Sequence, residues 1–153
     1  DITYERGDFV FIRRKKMFYK ELLEIQSVDA AVVENFDFWL ATLPKKSQKE
    51  ISVSMVSTQL GIDLATAKQL LEFCKKHGIL DMYCIAKCQK CGMAIRIEKD
   101  QLFSILMHPI RCTKCKLIIV PENIFVLYQV IRRPDVPEEE IQKAIERRLE
   151  NVD

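Results

Sequence analysis

Cys88-Gln89-Lys90-Cys91, followed after 20 intervening residues by Cys112-Thr113-Lys114-Cys115, is the stretch on which the reading of this chain turns. Two Cys-x-x-Cys pairs at this separation are the sequence form of a four-thiolate zinc site. Within each pair, a tight turn brings two sulfurs close enough to hold one ion. The loop between them is long enough for a hairpin that carries the second pair over the first. Zn²⁺ takes four such donors in a tetrahedron and keeps no open position, so one structural zinc held by Cys88, Cys91, Cys112 and Cys115 is expected. Gly92 follows the first pair and can take the left-handed backbone that turns N–H groups towards the sulfurs. Lys116 follows the second pair, so that turn is expected to be the less ideal one. His108 lies four residues before Cys112, but four cysteines already complete the tetrahedron.

Paired cysteines have two other uses. Disulfides need an oxidising compartment, and no stretch reads as a secretory signal, so reduced thiols in an intracellular (cytoplasmic or nuclear) setting are expected. A redox-active motif is single and sits where a strand meets a helix, whereas here two pairs stand in a hairpin-like setting. The other two cysteines, Cys74 and Cys84, lie in apolar stretches and read as small core residues.

With 153 residues the chain makes one domain or two small ones. Its 48% hydrophobic and 30% charged content is that of a soluble globular protein. No apolar run reaches about 18 residues, so no membrane span is expected. The net charge of +2 does not by itself argue for nucleic acid. Local charge says more. From Lys87 to Lys116, seven cations stand against Glu98 and Asp100, and four thiolates with one Zn²⁺ bring the segment to +3. From Asp135 to Asp153, three cations oppose seven anions. That asymmetry suits an electrostatic interface. There are only two histidines, His77 and His108, with no Gly-rich phosphate loop, nucleophile elbow or His-Glu-x-x-His. A non-catalytic binding module without a small-molecule substrate is therefore expected.

Working outward towards the N-terminus, residues 79 to 85 read as a strand. Before it, Asp63 caps a helix whose Leu64, Ala67, Leu70, Leu71 and Cys74 face inward, closed by Gly78 after Lys75, Lys76 and His77. Ser54 caps a shorter helix ending at Leu60, and Gly61 permits a tight turn between the two. Ile51 and Val53 alternate as a very short strand. A helix over 28 to 42 is expected from Ser27 as cap, from Val32, Val33, Phe36, Trp39, Leu40 and Leu43 as its stripe, and from Pro44 as its stop. Trp39 reads as a core anchor. Residues 44 to 49 form a polar loop. Met17, Phe18, Leu22, Leu23 and Ile25 suggest a helix over 13 to 26. The run Arg13-Arg14-Lys15-Lys16 reads as a solvated face. Phe9 to Ile12 could be a strand or a helix start.

Inside the cysteine loop, Met93 to Ile97 alternates as a strand. Leu102 to Leu106 is its expected partner across a turn at Lys99-Asp100, and Pro109 sets up the second cysteine turn. This reads as a zinc ribbon, with too little core to hold without metal. Leu117 to Val120 is strand-like, as is Ile124 to Ile131, although the latter could begin as a helix. Past Pro134, Asp135 and Glu138 form a capping-box pattern. A helix to about residue 150 follows, with Ile141, Ala144, Ile145, Arg148 and Leu149 on one face.

The order helix, short strand, helix, turn, helix, strand over residues 28 to 86 resembles a winged-helix domain. Ile51, Val56, Leu60, Gly61, Ile62, Ala67, Leu71, Gly78, Ile79 and Leu80 carry the resemblance. It implies that Thr66, Lys68, Gln69 and Lys76 face base edges or phosphates, with Glu72 on the same side opposing phosphate. Lys90 and Lys114, within the cysteine turns, can touch the nucleic-acid backbone. The cysteine hairpin stands where the wing would be, or follows it at once. A winged helix joined to the Cys88, Cys91, Cys112 and Cys115 pattern is similar in layout to transcription-type proteins such as the alpha subunit of archaeal transcription factor E. That class bridges polymerase, promoter and partner proteins without catalysis. The expected fold is therefore α+β: a winged helix-turn-helix with an adjoining small antiparallel zinc ribbon and flanking helices. Its expected segments are 1–27, 28–86, 87–131 and 132–153. DNA binding in transcription or its regulation is the expected function, and a protein–protein adaptor on the same scaffold is the alternative.

Overall fold

The computed structural model describes residues 17–150. The expectations for Phe9 to Ile12 and for Arg13 to Lys16 lie outside the described residues. In chain order the elements are α1 (Ala30–Ala41), α2 (Val53–Leu60), α3 (Leu64–Lys76), β1 (Leu80–Lys87), β2 (Ala94–Ile97), α4 (Leu102–Met107), β3 (Ile124–Val130) and α5 (Glu138–Glu150). The architecture is mixed α+β, with a small antiparallel sheet in the order β2-β1-β3. Two compact units divide the described chain. Residues 17–43 and 133–150 form one, and Pro44–Arg132 the other.

In the first unit, the helix expected up to residue 26 is a 3₁₀ turn at Lys20–Glu24. The reason is a tie from outside the segment. The carboxylate of Asp37, fully buried on α1, accepts the main-chain N–H groups of Phe18 (2.9 Å) and Tyr19 (2.8 Å). Those N–H groups are thereby committed to α1. The α1 helix follows Asp29, which makes no side-chain cap bond, so Ser27 is not its cap. Val33, Phe36 and Leu40 are buried, and the half-buried Trp39 stacks on Phe36 at 6.0 Å. Arg133 joins the end of α1 to the start of α5, donating to the Ala41 carbonyl (3.1 Å) and to the Glu138 carboxylate (3.3 Å). The α5 helix thus begins at Glu138 itself, and Ile141 supplies its buried contact.

In the second unit, Ile51 exchanges two 2.8 Å main-chain bonds with Tyr128 on β3. Ser52, not Ser54, caps α2 by accepting Met55 N–H at 3.0 Å. Gly61 (φ 66°) makes the turn, and Asp63 caps α3 through Thr66 N–H at 2.8 Å. Ala67, Leu70, Leu71 and Cys74 are buried. Leu64, expected to face inward, is 58% exposed, because it is the first residue of the helix and precedes the packed turn. After Gly78 (φ 74°) the chain enters β1.

The segment from Ile124 is a strand throughout, and it pairs with β1 in continuous register from Leu80↔Val130 to Ala86↔Ile124. The cysteine loop is therefore carried at the end of the β1–β3 hairpin. β2 pairs with β1, from Cys84↔Ile97 to Lys87↔Ala94. Leu102 to Leu106, expected as the partner of β2, lies in α4 instead. Glu98 and Gln101 form a reciprocal capping box around a 3₁₀ turn at Lys99–Gln101, which launches the helix.

Candidate metal centre

The two cysteine turns are built alike. Gly92 N–H donates to the Cys88 carbonyl and Lys116 N–H to that of Cys112, both at 2.9 Å. Cys88 N–H reaches the Met93 carbonyl at 2.9 Å, and Cys112 N–H reaches that of Leu117 at 2.8 Å. Each turn also aims a main-chain N–H at a sulfur. Lys90 donates to Cys88 Sγ (3.4 Å) and Cys115 to Cys112 Sγ (3.3 Å). Gly92 and Lys116 both have left-handed backbones, at φ 76° and 67°. The second turn thus attains the geometry of the first despite its lysine.

The sheet fixes where these turns meet. Cys84, Ala86 and Cys88 alternate, so their side chains share one face. On that face Cys84, Ala86, Cys88, Ile97, Cys112 and Ile119 form a buried cluster. Gln89 clasps the far side of the loop, donating to the Ile118 carbonyl (2.8 Å) and accepting Val120 N–H (3.4 Å). Asn123 closes the neck by donating to the Lys87 carbonyl at 3.1 Å. Sequence reasoning missed both residues, since neither clasp has a local signature.

The donor atoms of Cys88, Cys91, Cys112 and Cys115 all lie within 4.8 Å of one another, with Cys91 and Cys112 Sγ 3.5 Å apart. Four sulfurs bound at about 2.3 Å in a tetrahedron stand roughly 3.8 Å apart, so the residues present suit one closed four-sulfur metal site. Their protonation agrees with this. Main-chain N–H groups of Cys91 and Lys90 hold the Cys88 thiol down at about 6. The N–H of Cys115 lowers Cys112. Cys115 goes the other way, pushed up to about 12 by its hydrogen bond with Cys91, by burial and by neighbouring sulfurs. Sulfurs this close cannot all ionise unaided, and a divalent cation among them offsets the repulsion. His108 is exposed and outside the cluster.

Of the residues expected to meet nucleic acid, Lys68, Gln69 and Lys76 are exposed on α3, and Lys90 and Lys114 are exposed on the two cysteine turns. Thr66 is half-buried, with its N–H taken by Asp63. Glu72 is committed, for its carboxylate accepts the Tyr128 hydroxyl (2.5 Å) and pairs with Lys75 (2.9 Å). This lowers its proton affinity, first through Tyr128 and then through Lys75. No helix among the described residues is long and apolar enough to cross a membrane.

No family model, curated protein or solved structure matches the chain. The fold and site define a mixed α+β chain with four clustered cysteines, placed to hold a metal ion, at the end of a β-hairpin.

Proposed function

We propose that this is a non-catalytic zinc protein of winged-helix type that binds duplex DNA in transcription or its regulation. The observation that carries this reading is the Ile51–Tyr128 bridge beside the β1–β3 hairpin. A short strand ahead of α2-turn-α3, paired with the return strand of a hairpin that follows α3, is what a winged helix requires. On this reading the cysteine loop is a zinc ribbon grown from the tip of the wing. It adds lysines there without adding to the hydrophobic core, and Lys90 and Lys114 stand on its two turns. The ion is zinc because four thiolates in a closed tetrahedron suit it and leave no position for catalysis. Duplex contacts come from Thr66, Lys68, Gln69 and Lys76, with Lys90 and Lys114 on the phosphate backbone. The Tyr128 and Lys75 contacts to Glu72 spread its charge, which reduces its repulsion of phosphate.

Binding of the zinc-loaded chain to random duplex DNA should fall steeply between low and moderate salt. Lys68→Ala with Gln69→Ala should weaken it at least tenfold; undiminished binding removes α3 from the account. The alternative is a protein–protein adaptor, and the exposure of Leu64 at the head of α3 favours it. In that case no duplex binds at low salt, and a co-purifying partner is lost on Leu64→Asp.

A further inference from the structure

One face of the sheet packs on the metal centre, while the upper part of the other face is open. Across its strands Arg96, Ile85 and Phe125 lie side by side, because Ile85 pairs with Arg96 on one flank and with Phe125 on the other. Paired residues of antiparallel strands project from the same face. Burial falls along β1 on this face, from Tyr83 (buried) through Ile85 (half-buried) to Lys87 (exposed). Phe125 is 45% exposed. The guanidinium carbon of Arg96 lies over the Tyr83 ring, 3.8 Å from its centre. Glu98 takes its Nε alone, which leaves both terminal nitrogens of the fork to donate. The Lys87 ammonium has no partner among the described residues.

We infer that this face is a second nucleic-acid surface, built for an unpaired strand: Phe125 stacks a base while Arg96 and Lys87 take phosphates. An exposed aromatic on an open sheet, flanked by cations, is what single-strand binding needs, because every base has a π face and every nucleotide a charge. Arg96 and Phe125 stand two strand spacings apart, roughly 10 Å. That is the spacing of their backbones, and the long Arg96 side chain gives its terminal nitrogens reach to a phosphate beside a base on Phe125. Charge selects this occupant over an apolar protein segment, and the exposed Phe125 ring, a stacking partner for a base, selects it over a merely acidic one. The face offers Lys87 and the two terminal nitrogens of Arg96 beside one aromatic; Glu98 takes only the Nε of Arg96, and Glu50 acts at the Tyr83 end of the face, away from Lys87. The inference rests on the nucleic-acid reading but uses none of the α3 residues.

The test is anisotropy of labelled oligothymidylate, roughly 16 nucleotides long, against the zinc-loaded full chain, with a duplex of the same length in parallel. Oligothymidylate should bind, and Phe125→Leu, which keeps an apolar strand residue, should weaken it about tenfold. Arg96→Lys, which keeps the charge but loses the guanidinium over the Tyr83 ring, should weaken it several-fold. Duplex binding should be unchanged in Phe125→Leu and reduced in Lys68→Ala/Gln69→Ala. Equal binding of oligothymidylate by wild type and Phe125→Leu overturns the inference. So does duplex binding without oligothymidylate binding, which leaves the α3 reading standing. Binding of neither nucleic acid overturns both and leaves the face to a protein.

Discussion

Gly92 and Lys116 hold the same left-handed backbone at equivalent places, each directly after the second cysteine of its pair. For glycine this conformation carries little cost, whereas for lysine it carries about 1 kcal/mol. Nothing lies within 4 Å of where a Cβ on Gly92 would stand, so any penalty there is purely conformational. Lys116→Gly should therefore raise metal affinity a few-fold, and Gly92→Ala should lower it by about the same factor. Competition against a chromophoric chelator reads both. Lys116→Ala separates the charge from the backbone, since it removes the cation and keeps the strain.

Metal removal should act on one part of the second unit only. The cluster under the cysteine loop has six buried residues, and two of them are themselves metal-site cysteines. Its remaining apolar contacts are a rim of half-buried residues, so the ion is expected to supply much of what holds the loop. The Ile51–Tyr128 bridge and the α2–α3 core do not depend on it. A chelator should thus speed hydrogen exchange across Ala94–Ile97 and 110–119 by orders of magnitude, while the amides of Ile51 and Tyr128 stay protected. Cys112→Ser should reproduce the pattern without chelator.

The Glu72–Tyr128 bond sets a pH dependence. Glu72 binds its proton less readily when folded than when unfolded. Its contribution is therefore present above the ordinary carboxylate range and is lost as pH falls through the depressed folded value. Burial and Glu72 push the Tyr128 phenol above its usual range, so its share persists below about 10 and is lost only in strong alkali. The carboxylate is 38% exposed, which limits the bond to about 1 kcal/mol. An NMR titration of the Glu72 carboxyl carbon should place its midpoint below the usual value in the wild type. In Tyr128→Phe it should move up towards that value.

Asp37 is the tie that replaces a helix. Asp37→Ala leaves the Phe18 and Tyr19 N–H groups without their acceptor, at a cost of about 2–4 kcal/mol. Asp37→Asn keeps an acceptor oxygen and should cost less. Denaturant unfolding, together with exchange rates at residues 18 and 19, measures both.

The features that could be read from sequence were those fixed within a few residues. The cysteine spacing, Asp63 as a cap and Gly61 and Gly78 as left-handed positions are local chemistry. The features that could not were decided at a distance. Leu102 to Leu106 is five residues long, too short for its apolar pattern to separate helix from strand, and the Glu98–Gln101 box decided for helix. Ser52 and Ser54 are equally good caps in isolation; the Ile51 bridge ends the extended chain at Ser52 and selects it. The pairing of β1 with β3 spans the whole cysteine loop, and nothing near Leu80 announces Val130. The left-handed Lys116 has no signal in its own residue type, only in its likeness of position to Gly92.

The most direct measurement of the central claim is X-ray absorption at the zinc edge, made on the purified chain together with its metal content. One zinc per chain, with four sulfur neighbours at about 2.3 Å and no nitrogen or oxygen shell, is the predicted result. Less than one zinc at saturation, or a shell containing nitrogen or oxygen, would contradict a closed site of Cys88, Cys91, Cys112 and Cys115.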